Sequence, residues 1–117
     1  MNAHKISFML DLDRQDSQVY VNVRKGETVA KLSVLLMEGG TPYSIADGTT
    51  AKLAATLPVG SYKETACTIS DNRMEVELDA DHTNTAGHYH AHFVLAGGGA
   101  ALPTPAFTVN VDDPAAY

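Results

Sequence analysis

Apolar side chains recur at every second position along most of this sequence, and that period constrains the fold more than any other feature. In the segment 18–24, for example, Val19, Val21 and Val23 alternate with polar residues. Successive side chains of a β-strand point to opposite faces of a sheet, whereas a helix repeats its apolar face every three or four residues. Comparable sets recur at intervals of roughly 10 to 15 residues, with glycine- and aspartate-containing turns between them. The sequence therefore predicts an all-β protein of about eight strands.

A tyrosine late in the chain refines this prediction to an immunoglobulin-like antiparallel β-sandwich. Tyr89 follows Gly87 by two residues at the start of a strand, where its hydroxyl can reach back to a backbone group a few residues upstream. An ordinary buried strand tyrosine is the alternative interpretation. The predicted core consists of residues from the alternating sets: Phe8, Val21, Leu32, Val34, Leu53, Val76, Leu78, Tyr89, Phe93 and Val109.

Short segments between the strands predict turns of definite kinds. Ser70 to Arg73 predicts a tight hairpin turn, and Gly97 to Gly99 predicts the loop that joins the last two strands. The segment 79–85 predicts a single helical turn, with Asp81 as its N-cap.

Length and charge limit the organisation of the chain and its partners. A chain of 117 residues suits one domain, 1–117, with its core at about residues 4–113. Fourteen acidic against eight basic residues give a net charge of −6, which disfavours binding to nucleic acid. No segment approaches the ~18 apolar residues of a membrane span, so we expect no membrane contact.

The sequence offers little that catalysis needs. Cys67 is the single cysteine, which excludes an internal disulfide and a metal site built from cysteines, and suits synthesis in a reducing cytoplasm. Because Cys67 lies in an alternating strand, it is interpreted as a small core residue rather than a nucleophile. The motifs of serine hydrolases, zinc proteases and nucleotide-binding enzymes are missing. We therefore expect no enzymatic activity and no cofactor.

Three histidines alternate along one strand. His88, His90 and His92 share a face, with apolar residues between them on the other face. Two histidines at this spacing can share a zinc ion, but a third is too far along to complete the tetrahedron without a carboxylate from a neighbouring strand. A solvated or interface surface is the main interpretation, and a metal site is the weaker alternative.

Several groups of residues, in order along the chain, give the sequence a resemblance to a known family. They are VRKGET at 23–28, LSVLL at 32–36, GTPYSIADGT at 40–49, GHY at 87–89 and FTVNV at 107–111. Together they resemble the amino-terminal domain of the phage baseplate upper protein family, which occurs in tails of phages and prophages of Gram-positive bacteria. The glycine, proline-tyrosine and glycine-threonine arrangement at 40–49 is the most specific of these groups.

The resemblance implies a virion structural protein, made in the host cytoplasm and placed in the tail baseplate, where it docks receptor-binding or fibre components. It also implies that the partners are other tail or baseplate proteins and that the protein is a homo-oligomer in the virion. The alternative is a stand-alone immunoglobulin-like adhesion domain that binds a surface ligand such as carbohydrate. Several exposed aromatic side chains in one shallow groove would favour that alternative.

Three outward residues are candidates for a docking interface: Tyr20, Leu35 and Met37. Leu35 and Met37 fall on the strand face opposite Leu32 and Leu36, so an isolated sandwich would expose both of them. Exposed apolar side chains that lie together tend to mark partner surfaces. The alternative is that a neighbouring loop covers them within the monomer.

Overall fold

Strands make up most of the structure, a computed structural model that describes residues 4–14 and 16–113. The elements are β1 (His4–Asp11), β2 (Asp16–Arg24), β3 (Ala30–Glu38), β4 (Thr41–Pro42), β5 (Thr50–Thr56), β6 (Tyr62–Ser70), β7 (Arg73–Glu77), α1 (Ala80–Thr83), β8 (Gly87–Gly97), β9 (Ala100–Pro103) and β10 (Ala106–Asp112). The predicted all-β class is confirmed. The ends of the predicted domain, residues 1–3 and 114–117, lie outside the described residues.

The strands form one continuous sheet that curls until it nearly closes. Its hydrogen-bonded order is β1-β3-β7-β6-β5-β8-β10-β2, with β4 added to β3 and β9 added to β8. The two end strands, β1 and β2, also contact each other. Strand β6 pairs with β5 through residues 62–67 and with β7 through residues 68–70, so it joins the two halves of the sheet. The predicted division into two separate sheets is therefore not confirmed.

Two strand pairs differ from the predicted antiparallel arrangement. Strand β1 runs parallel to β3, and β2 runs parallel to β10. The remaining pairs are antiparallel. A parallel pair needs a crossover connection, and here the chain leaves β1, forms β2 at the far end of the strand order and returns to β3. The prediction was wrong for these two pairs because the alternation of apolar residues shows which face of a sheet a side chain occupies. It does not show which strands are neighbours or in which direction they run.

The core lies inside the curled sheet and contains the inward residues of both halves. Every predicted core residue is buried except Phe8, which is half-buried and packs against the core from the end strand β1. The ring centroids of Phe8 and Phe107 are 5.1 Å apart, and those of Phe93 and Phe107 are 5.6 Å apart. Burial of such side chains supplies the main driving force for folding.

The predicted hairpin and helical turn both form, but the helix cap differs from the prediction. Asp71 and Asn72 adopt positive φ angles of 51° and 63°, which the primed hairpin turns require. The N-cap of α1 is Asp79 and not Asp81: the Asp79 carboxylate accepts a hydrogen bond from the Asp81 N–H at 3.0 Å. The Asp79 N–H in turn donates to Nδ1 of His82 at 3.2 Å. This reciprocal pair satisfies backbone donors at the start of the turn.

The tyrosine at the start of β8 makes the backbone contact that the sequence predicts. The Tyr89 hydroxyl donates to the carbonyl oxygen of His82 at 3.1 Å, within the buried interior. Burial raises the pKa of Tyr89, so its hydroxyl stays protonated and remains a donor. The bond fixes α1 and its flanking loop against the sheet.

Replacing Tyr89 by phenylalanine is expected to lower the free energy of unfolding by about 1 kcal/mol, because the variant loses one buried hydrogen bond. Chemical denaturation of both proteins measures the difference. Tyr62→Phe is the matched control, since the Tyr62 hydroxyl donates to Glu64 at 2.9 Å on the exposed surface, where water replaces the lost bond. Equal losses in the two variants would contradict the assigned role of Tyr89.

Candidate functional site

Two of the predicted interface residues lie together on the outer surface of β1, β3 and β4. Leu35 stands beside Met9 in the parallel register of β1 and β3, and Met37 stands beside Pro42 of β4. Met9 is 58% exposed and Pro42 is exposed, whereas Leu35 and Met37 are half-buried. The expectation that an isolated domain exposes Leu35 and Met37 therefore holds only in part. We call these four residues the β1–β3 patch.

The third predicted interface residue lies on a different face. Tyr20 is 67% exposed on β2, where it is paired with Thr108 of β10. Thr108 is paired on its other side with His90 of β8, and its Oγ1 lies 3.4 Å from the His90 ring nitrogen Nδ1. The next row along the same strands is polar, and Asn110 donates to Asn22 at 3.2 Å. This outer face is rich in hydrogen-bonding groups, in contrast to the apolar β1–β3 patch.

The alternating histidines lie on that same outer face of β8. His88 and His90 are exposed, and His92 is half-buried. Their cross-strand neighbours are Asn110, Thr108 and Ala54, none of which is a carboxylate. Among residues 4–14 and 16–113, no group of three His, Cys, Asp or Glu side chains has the arrangement of a metal site. Metal binding by these histidines remains an untested prediction.

Two titratable groups, the Cys67 thiol and the His82 imidazole, have pKa values shifted by burial. Burial raises the pKa of the half-buried Cys67 thiol to about 12. A thiol of this kind is protonated at neutral pH, and the thiolate is the reactive form. His82 is fully enclosed, and its burial lowers the pKa, although the nearby Asp79 carboxylate opposes this shift.

The free energy of unfolding is expected to fall as the pH drops below about 6.5, the ordinary pKa of histidine. Because the folded state holds His82 at a lower pKa, the unfolded chain binds more protons in this range, and stability rises with pH. Asp79 and Asp81 favour the charged imidazole, while Lys63 opposes it. Thr65 Oγ1 lies 3.4 Å from Nε2 of His82. Denaturation of the parent protein and of His82→Gln at several pH values between 5 and 7 measures this effect. The free energy of unfolding should change less steeply with pH in the variant. Identical slopes would contradict the assignment.

A pocket of about 410 Å³ opens between two loops for which the sequence predicts no binding site. One wall is the segment 43–49, which follows β4, and the other is the β8–β9 hairpin. Tyr43, Ile45, Leu95 and Leu102 supply apolar surface, and the acidic residue Asp47 also lines the pocket. We call this feature the end pocket.

Hydrogen bonds hold both walls of the end pocket in place. The Asn72 side chain clamps the segment 43–49, since its Oδ1 accepts from the Ile45 N–H and its Nδ2 donates to the Tyr43 carbonyl, both at 2.8 Å. The β8–β9 hairpin turns through Gly98 and Gly99, whose φ angles of 59° and 83° suit a tight turn. A pocket with fixed walls loses little conformational entropy when a ligand binds.

The sequence indicates each part of the end pocket without bringing the parts together. The glycine-rich and proline-containing turn at 40–49, the Asp71–Asn72 turn and the glycine run at 97–99 are all visible as turn signals. Their juxtaposition depends on the pairing of β3 with β7 and of β5 with β8, which turn chemistry does not specify. Asn72 and Asp47 are therefore the residues that sequence reasoning missed.

Comparison with solved structures finds a domain of similar fold. The structure is similar to the solved N-terminal domain of phage TP901-1 ORF48, with a TM-score of 0.73 and 14% sequence identity. The match covers 92% of this chain and 98% of that chain. No protein-family model matches the sequence, and a search of curated proteins finds no match. The comparison thus establishes a shared fold. Within the described residues, no helix has the length and apolar character needed to cross a membrane.

Proposed function

We propose that this protein is a structural component of a phage or prophage tail baseplate, where it docks receptor-binding or fibre components. The observation that carries the proposal is the fold similarity to a phage protein domain over 92% of this chain and 98% of the other. At 14% identity the fold alone is shared. The baseplate assignment rests in addition on the resemblance of the sequence groups at 23–28, 32–36, 40–49, 87–89 and 107–111.

The surface chemistry supports a docking function. The β1–β3 patch combines the exposed Met9 and Pro42 with the half-buried Leu35 and Met37. Apolar groups that cluster at the surface favour protein–protein contacts. A stable interface buries about 800 Å² per partner, against a total accessible surface of 6776 Å² for this chain. Such an interface would therefore occupy roughly an eighth of the accessible surface.

The proposal includes self-association in the virion and no enzymatic activity. Tails are symmetric assemblies, and a symmetric oligomer presents the same patch on every copy. Tyr20, on the outer face of β2, is the candidate for a second contact, either with a neighbouring copy or with another baseplate protein. Single-residue replacement by glutamate tests that face separately from the β1–β3 patch.

The competing class is an adhesion domain that binds carbohydrate. Such sites need several aromatic rings within reach of one sugar. Tyr20 and Tyr62 are the most exposed aromatic side chains in the described part of the chain. They lie on β2 and β6, which are separated by three strands, or about 19 Å measured along the curled sheet. The end pocket contributes a single aromatic side chain, Tyr43. This separation of the aromatic side chains favours the docking function over carbohydrate binding.

Quantitative mass spectrometry of purified particles tests the proposal. Particles of the phage or induced prophage that encodes the protein are expected to contain it at a fixed ratio to the other tail proteins through successive purification steps. Its absence from tails of full infectivity would contradict a structural role. A tail protein of known position serves as the internal standard.

A further inference from the structure

The end pocket has a charge environment that selects its occupant. Asp47 lines the pocket, and the turns and strand ends at the same end of the sheet carry three further exposed carboxylates, those of Asp13, Glu38 and Asp71, of which Asp13 accepts a hydrogen bond from the Gly39 N–H at 2.6 Å. Among the described residues, the cations in the turns at this end are Arg14 and Arg73, fewer than the carboxylates. Arg14 lies 3.8 Å from Asp11, and Arg73 donates to Ser33 Oγ at 2.8 Å. The uncompensated charge at this end is therefore negative, which attracts cationic groups and repels phosphate.

The lining of the pocket adds apolar contacts to this negative rim. Leu95 is buried, and Tyr43, Ile45 and Leu102 are half-buried and pack against the core. Asp47 is exposed at the same pocket. A long basic side chain has the matching composition, because its aliphatic stem can cover apolar surface while its charged head pairs with a carboxylate.

We infer that the end pocket is a docking site for a basic, extended segment of a partner protein, with an arginine or lysine side chain inserted between the segment 43–49 and the β8–β9 hairpin. The aliphatic stem lies against Ile45, Leu95 and Leu102, and the cation pairs with Asp47. The pocket volume of about 410 Å³ is at the lower end of the range for ligand sites, and it accommodates one side chain with its adjoining backbone.

This site lies apart from the β1–β3 patch and deepens the proposed docking function by giving the chemistry of a second contact. It rests on the proposed function only for the assignment of the basic segment to another tail protein. The interaction itself is a property of the isolated chain. A lack of peptide binding in solution is therefore distinguishable from the absence of the protein from tails.

A nuclear magnetic resonance titration of the full, ¹⁵N-labelled chain tests the inference. The probe is a short capped peptide with one central arginine flanked by leucines, and the matched control peptide carries the neutral isostere citrulline in its place. The arginine peptide is expected to produce saturable shifts of the backbone amide signals of Thr49, Ala96, Gly97 and Ala101. The citrulline peptide is expected to bind about tenfold more weakly, because it lacks the charge-assisted hydrogen bond.

Two variants assign the effect to the pocket. Asp47→Asn should weaken binding of the arginine peptide by about tenfold while the spectrum stays that of a folded protein. Glu77→Gln removes an exposed carboxylate at the opposite end of the sheet, outside the pocket lining, and should leave the affinity nearly unchanged. Equal binding of the two peptides, equal binding by Asp47→Asn, or no shift at the four amides would overturn the inference. Shifts of the same amides by N-acetylglucosamine, with none from the arginine peptide, would overturn it in favour of a carbohydrate site.

Discussion

Leu32→Ala is expected to lower the free energy of unfolding by about 2–5 kcal/mol, because the change removes buried apolar atoms and leaves a cavity that the sheet cannot fill. Leu32 has no exposed surface and lies on β3, paired with Ile6 of β1 on one side and Val76 of β7 on the other. A loss of this size is a large part of the total stability of a small domain. Urea denaturation measures it.

Leu35→Ala is the matched control, since the same residue type lies three positions further along the same strand on the outer face. Leu35 is half-buried, so its truncation removes less buried surface and the free energy of unfolding should fall by a clearly smaller amount. If Leu32→Ala cost less than about half a kcal/mol, the usual size for a surface site, the faces of β3 would be assigned the wrong way round.

Leu35→Glu combined with Met37→Glu is expected to abolish incorporation into tail particles while the monomer remains folded. Two carboxylates in the β1–β3 patch would have to lose their hydration in any interface formed there, and buried unpaired charges are strongly unfavourable. Incorporation is measured by mass spectrometry of particles produced in cells that carry the variant gene. Circular dichroism and thermal unfolding of the purified variant verify the fold.

The control for this experiment is a second pair of glutamates at the same spacing. Ala66→Glu with Thr68→Glu places two carboxylates on exposed positions of β6, and this variant should assemble normally. Normal incorporation of the Leu35 and Met37 variant would show that the β1–β3 patch is not the docking surface. The turn at Gly39–Gly40 and the β8–β9 hairpin would then become the next candidates.

Alternation and turn chemistry predict much of this fold, because both act over a few residues. Val21 and Leu32 are assigned to the inner face correctly, and the Asp71–Asn72 hairpin and the Tyr89 contact are found from local sequence alone. Phe8 was expected to be buried like the others. It remains half-buried because β1 is an end strand, a position that the sequence pattern does not reveal.

Interactions between distant parts of the chain account for what the sequence does not predict. Ser33 is buried and accepts from Arg73, 40 residues away, and the Thr83 hydroxyl donates to the carbonyl of Glu27, 56 residues away. The short strand β9 arises because the glycine run at 97–99 forms its own hairpin before the last strand begins. The end pocket has the same origin, since its two walls meet only through the sheet.

Electron cryomicroscopy of the intact tail tests the baseplate assignment most directly. We expect density that fits the nearly closed sheet of β1 to β10 at the distal end of the tail, repeated with the symmetry of the baseplate. In that map, the β1–β3 patch should face a neighbouring protein. Density for the domain along the tail tube or on the capsid, or a fully occupied baseplate map that leaves no place for it, would contradict the baseplate assignment.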